Sequence, residues 1–240
     1  MKKLMLSLLA GVAFSGAAFA QDFRIGLQED PDVLDPHKAR TFVGRIVFTS
    51  LCDKLIDVNA SLEFVPQLAT EWSWSNENKT LTFKLRDDVV FHDGTKFNAE
   101  AAKANLDRAR TEPDSLRKSE LASVDSVEVV DEYTIALHLK QPDATLLAQL
   151  SDRAGMMLSP AAFSGDVATN PVCSGPYKFV SRVQNDRIVL EKFADYRDAD
   201  EFHFDRLIFL PIPDSTVRLA NLRAGDIDML ERPNPADAES

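Results

Sequence analysis

The chain has 240 residues, 45% of them hydrophobic and 27% charged, with 27 lysines and arginines against 38 acids and a formal charge of −11. Such a length makes one large domain or two small ones. The acidic balance and the scatter of the basic residues exclude a nucleic-acid partner and an anionic membrane surface, both of which need clustered Lys and Arg.

Residues 1–20 read as a removable secretory signal. Lys2 and Lys3 form a basic start, Leu4 to Phe14 an apolar stretch, and Ala18, Phe19 and Ala20 a small-x-small cleavage site before Gln21. Loss of those two lysines takes the mature charge to −13. No later stretch approaches the ~20 apolar residues of a membrane span, so direct membrane insertion is not expected. Cys52 and Cys173 lie far from the cleavage site, so a soluble exported protein is expected and not a lipoprotein.

Phe23, Ile25 and Leu27 alternate with Arg24, Gly26 and Gln28, predicting a first strand that breaks at Glu29 to Pro36. Gly44 to Leu55 is apolar at helical spacing through Ile46, Val47, Ser50, Leu51 and Lys54. Leu81, Phe83 and Leu85 alternate with polar residues, giving a half-buried strand. His92, Asp93, Gly94 and Thr95 supply turn chemistry, and Asn98 caps a helix carrying Ala99, Ala102, Leu106 and Ala109 on one stripe. Val127 and Val129, then Tyr133 to Leu139, alternate about Asp131 and Glu132 as a hairpin. Asp143 is expected to cap a short helix burying Leu146, Leu147 and Leu150, and Gly155 to Leu158 forms a short buried run. A strand is expected within Asn170 to Val180, and others at Ile188 to Phe193 and Leu207 to Leu210. Asp214 then caps a helix over Val217, Ala220, Leu222 and Ala224 that Gly225 ends, with a strand from Asp226. Hairpins and helix-separated strands together indicate α/β or α+β layers.

Several of these motifs resemble one family. Pro66, Leu68, Ala69, Trp72, Leu85, Arg86, Phe91, His92, Asp93, Gly94, Phe97 and Ala99 stand as in the signature of the family 5 extracellular solute-binding proteins, the peptide, nickel and opine receptors of ABC importers. Leu34-Asp35-Pro36, Gly175-Pro176-Tyr177, Leu190-Glu191, Asp195-Tyr196 and Gly225 to Asp228 extend the resemblance, with Arg197 where tryptophan is usual. The resemblance implies an α/β fold of the type II periplasmic binding protein kind (cluster C). Its first lobe is discontinuous, at residues 21–43 and 155–240, and a smaller α+β domain is inserted at 44–154. A second large lobe follows in that family, so this chain is expected to be a truncated copy, with one edge of the lobe-one sheet left uncovered. The implied role is periplasmic: binding of a peptide or similar small solute, and delivery to the membrane permease of an ABC importer, with no cofactor and no enzymatic activity.

By position, the segment after Leu34-Asp35-Pro36 corresponds to ligand-lining residues of the family, which places Arg40, Thr41 and Phe42 as candidate contacts. An arginine beside an aromatic can pair with a carboxylate while stacking an apolar group. Core packing for Phe42 and solvation for Arg40 is the competing reading. Glu231 and Arg232 follow the Gly225 to Asp228 motif toward the same cleft. Cys52 and Cys173 leave two readings open, a disulfide favoured by an oxidising compartment or two buried thiols. Ser115 and Lys118 match S-x-x-K, but the companion motifs of that hydrolase class are missing from the sequence. A serine hydrolase, or a chaperone-like domain with an open apolar face, are the alternatives. His37, His92, His138 and His203 lack metal-ligand spacing.

Overall fold

The computed structural model describes residues 21–235; the expected signal segment, residues 1–20, lies outside them. Strand β1 (Asp22–Leu27) leads through the Leu34-Asp35-Pro36 loop into helix α1 (Phe42–Leu51). A short antiparallel pair, β2 (Ile56–Val58) and β3 (Phe64–Pro66), follows. Next come β4 (Ala69–Ser75), β5 (Thr80–Leu85), helix α2 (Ala99–Thr111), β6 (Val124–Asp131) and β7 (Thr134–Leu139). These four strands form an antiparallel sheet in the order β4-β5-β7-β6. After helix α3 (Leu146–Leu150) the chain runs through β8 (Tyr177–Val183), β9 (Arg187–Lys192), β10 (Arg206–Pro211), helix α4 (Ser215–Ala224) and β11 (Met229–Leu230). The second sheet has the order β11-β1-β10-β9-β8, with β1 parallel to both its neighbours.

Each sheet carries its own core. Leu81, Phe83 and Leu85 of β5 pack with Phe91, Phe97 and the α2 stripe Ala99, Ala102, Leu106 and Ala109 in the first. Asn98 caps α2 through its side chain, which accepts from the Ala101 N–H at 3.0 Å. The second core joins Ile25 and Leu27 of β1 to Ile188, Leu190, Leu207 and Phe209, with Val43, Val47, Phe48 and Leu51 of α1 against them. Full burial of each such side chain contributes ~1.5–3 kcal/mol, enough to fix which face of each element turns inward.

Three expectations need correction. The buried stripe of α1 is Val43, Val47, Phe48 and Leu51, not one through Ile46 and Ser50, because the helix starts at Phe42 and ends before Lys54. Helix α1 packs in the second core, and membership of the two cores changes between Cys52 and Leu55. Thr145, not Asp143, precedes α3; the Asp143 carboxylate accepts from the Thr145 N–H and hydroxyl at 2.8 and 2.7 Å, closing a turn ahead of the helix, and Leu147 is only half-buried. In α4, Asp214 caps as expected, but Val217 is 50% exposed and the buried residue is Arg218.

Polar staples hold the two cores together. The Asn105 side chain accepts from the Leu158 N–H at 2.9 Å and donates to its carbonyl at 2.7 Å. Asp35 takes a two-pronged pair from Arg108 at 2.6 and 3.1 Å, and Arg108 also donates to His37 Nδ1 at 2.9 Å. Burial, opposed by Asp35 and reinforced by Arg108, depresses His37 to about 4. Arg197, where the family usually has tryptophan, pairs with the buried Asp53 carboxylate, whose pKa burial pushes up against the pull of that arginine.

Candidate functional site

The signature loop is structural. The Cys173 N–H donates to His92 Nδ1 at 3.3 Å, so the proton sits on Nε2, which donates to the Gly175 carbonyl at 2.9 Å. Asp93 accepts from the Ser159 hydroxyl at 2.5 Å and from Thr95. Cys52 and Cys173 are joined as a disulfide beside this contact. Gly175 lies so close to α1 that a Cβ there would stand 2.6 Å from the Leu51 carbonyl. Phe91 to Gly94 thus clamps one core to the other.

A different place collects exposed, unsaturated chemistry. Because β1, β10 and β11 are parallel, their carboxyl ends share one edge of the sheet, the edge where open α/β sheets bind ligands. The Glu231 N–H donates to the Gly26 carbonyl at 2.9 Å, and the Glu231 carboxylate accepts from the Gln28 N–H at 3.2 Å. Glu231 is 8% exposed and its Oε1 has no hydrogen bond. Arg232 Nε approaches that oxygen at 3.4 Å, close enough for ion pairing but without hydrogen-bond geometry. Arg232 has φ +50°, and its guanidinium lies over the Phe42 ring, 4.5 Å from the centroid. The Arg45 guanidinium lies 5.8 Å from the same ring and is anchored by Asp152 at 2.7–3.0 Å.

The segment ahead of Phe42 is tied down from both sides. Asp32 accepts from the Arg40 N–H at 3.0 Å and from the Thr41 hydroxyl at 3.2 Å. Burial raises the Asp32 pKa, but the N–H groups of Arg40, Val33 and Thr41 and the Thr41 hydroxyl outweigh it and hold the carboxylate below its usual range. The buried Arg153 donates to the Ala39 carbonyl at 2.8 Å. Phe42 is 45% exposed, so core packing does not account for it.

Of the five expected contacts, Phe42, Glu231 and Arg232 come together although 189 positions separate the first two. Arg40 and Thr41 are engaged with Asp32 beside them. Sequence reasoning missed Arg218, which is buried and donates to the Ile212, Pro213 and Arg232 carbonyls at 2.5, 3.2 and 3.5 Å. The signal was Gly26 inside a strand: a Cβ there would meet Ile227 at 2.7 Å and the Arg218 stem at 3.0 Å. The S-x-x-K pair is used up locally, Ser115 donating to the Ala109 carbonyl at 2.6 Å and Lys118 to the Pro113 carbonyl at 2.6 Å. Among the described residues no helix is long and apolar enough to cross a membrane.

The family profile described as bacterial extracellular solute-binding proteins, family 5 Middle, matches residues 63–240. The chain belongs to the family 5 solute-binding proteins. The glutathione-binding protein GsiB of Pectobacterium atrosepticum is 33% identical over 211 residues, 86% of this chain and 41% of GsiB. Among solved structures, the periplasmic murein tripeptide binding protein MppA in its unliganded open form superposes with a TM-score of 0.82 at 27% identity, over 90% of this chain and 46% of MppA. AgaA from A. tumefacien R10, solved with agropinic acid, gives a TM-score of 0.82 at 28% identity, over 91% of this chain and 45% of AgaA. This family 5 chain therefore spans under half the length of the relatives it matches. Those relatives are binding proteins by name, and the fold is that of the type II periplasmic binding proteins.

Proposed function

We propose that the protein carrying this chain is the periplasmic receptor of an ABC importer, which captures a peptide or a similar small zwitterionic solute and hands it to a membrane permease. The observation that carries this reading is the cluster at the carboxyl ends of β1 and β11, where an exposed aromatic and a guanidinium stack beside a buried carboxylate with an open acceptor. Arg40, Thr41, Phe42, Glu231 and Arg232 are its proposed ligand contacts. The names of GsiB and MppA, with glutathione and a murein tripeptide, and the agropinic acid held by AgaA support a small solute that carries a carboxylate.

In this reading residues 1–20 direct export. The region around the four-stranded sheet is an inserted domain, stapled to the first lobe by Asn105, Arg108 and His92. Phe42 supplies an apolar surface, while Asp32 and Arg153 hold its approach segment in one conformation, which lowers the ordering cost of binding. Capture follows closure of two lobes about a hinge.

The test is a thermal-shift screen of the full-length protein carrying this chain, against di- and tripeptides that include glutathione. A ligand at 100 times its Kd stabilises by about 2.7 kcal/mol, a rise of about 5–10 °C if the unit that unfolds has about 150–250 residues and less if it is larger. No shift with any peptide or extracted metabolite would refute the receptor reading. Covalent labelling of Ser115 by a β-lactam or fluorophosphonate probe would count for a hydrolase instead.

A further inference from the structure

We infer that Arg232 is the residue that selects for a free carboxylate on the solute, and that Phe42 and Glu231 hold its guanidinium ready for that task. The inference rests on the receptor reading above and deepens it. One flat face of the Arg232 guanidinium is occupied by the Phe42 ring at 4.5 Å. Its Nε stands 3.4 Å from Glu231 Oε1, and neither terminal nitrogen makes a hydrogen bond among the described residues. A guanidinium stacked on its face and held at Nε still presents its two terminal nitrogens, a planar edge that matches the two oxygens of a carboxylate.

The backbone supports this placement. Arg232 sits at φ +50°, a region that side chains other than glycine rarely adopt, and its carbonyl is held by the buried Arg218 at 3.5 Å. The Glu231 N–H bond to the Gly26 carbonyl continues the β11 pairing to the residue just before. Glu231 pairs with Arg232 by charge at Nε but takes none of its N–H bonds, because one of its oxygens accepts from Gln28 and the other lacks hydrogen-bond geometry toward Arg232. The neighbouring Arg45 is already paired with Asp152 through Nε and one terminal nitrogen, so Arg232 and the exposed Arg40 are the cations here whose terminal nitrogens are not given to a carboxylate. In a chain of formal charge −11 long-range attraction does not favour an anionic solute, so its carboxylate has to be recognised at short range.

The experiment is calorimetric titration of the full-length protein carrying this chain with a panel of short peptides, glutathione included, each paired with its carboxyl-amidated form. The parent protein should prefer the free carboxylate by about 10–100-fold, the range of a charge-assisted pair. Arg232→Gln should bring the two forms within about threefold of each other, and Arg232→Lys, a point charge without the fork, should fall between. Phe42→Leu should weaken binding of the free acid more than that of the amide. The assignment is overturned, with the receptor reading intact, if Arg232→Gln binds peptides with the parental preference. It is likewise overturned if that variant lowers the melting temperature while leaving selectivity untouched. If no panel member binds the parent protein, the peptide reading of the solute falls and this assignment with it, while the receptor reading stands or falls with the thermal-shift screen.

Discussion

Replacing His92 with glutamine should flatten the acid side of the stability curve. His92 is buried between Cys173 and Gly175, and burial, aided by Lys178 and opposed by the Gly175 carbonyl and Asp93, depresses it to about 4 from 6.5. Between those values the unfolded chain binds a proton at this site and the folded chain does not. The contribution is therefore fully present above pH 6.5 and is lost as pH falls toward 4. The slope reaches ~1.4 kcal/mol per pH unit, and the whole window is worth about 3 kcal/mol, of which about 2 is gone by pH 5. His37 adds a contribution of the same sign, while Asp53 and Glu120, whose carboxyls burial pushes up, act in the opposite sense. The difference between parent and variant isolates His92, because the other groups are common to both. Urea unfolding of parent and His92→Gln from pH 7.5 to 4.5 should give curves that converge as pH falls. Parallel curves would refute the placement of a neutral, buried His92 in this clamp.

Asn105→Leu should cost about 2–5 kcal/mol, because it leaves both the N–H and the carbonyl of Leu158 buried without a partner; an unchanged urea midpoint would contradict the staple. The double variant Cys52→Ala, Cys173→Ala opens a loop spanning a sequence separation of 121 residues and should lose about 4–5 kcal/mol on the chain-entropy model. A thiol assay on the denatured, unreduced parent should detect no free cysteine, and two titratable thiols would contradict the bond.

The parts of the fold legible in the sequence are those set by neighbours in the chain. Leu81, Phe83 and Leu85 alternate, Asn98 caps and Ala102 and Leu106 face inward, because period and capping are local properties. What failed depended on partners far along the chain. The face of α1 is chosen by the five-stranded sheet, whose β10 lies more than 150 residues later, and α4 turns an arginine inward because Ile212, Pro213 and Arg232 offer carbonyls. The candidate site was half legible: Phe42 and Arg232 could each be named from the motifs before them. Their stacking follows only from β11 lying alongside β1.

The central claim is that solute meets the carboxyl ends of β1 and β11, and that the signature loop Phe91 to Gly94 serves the fold. Amide hydrogen exchange of the full-length protein, with and without a saturating solute from the thermal-shift screen, tests it most directly. Within this chain, added protection should concentrate at residues 28–45 and 228–232, with residues 91–94 unchanged. Protection centred on Phe91 to Gly94, with Phe42 and Arg232 unaffected, would contradict it.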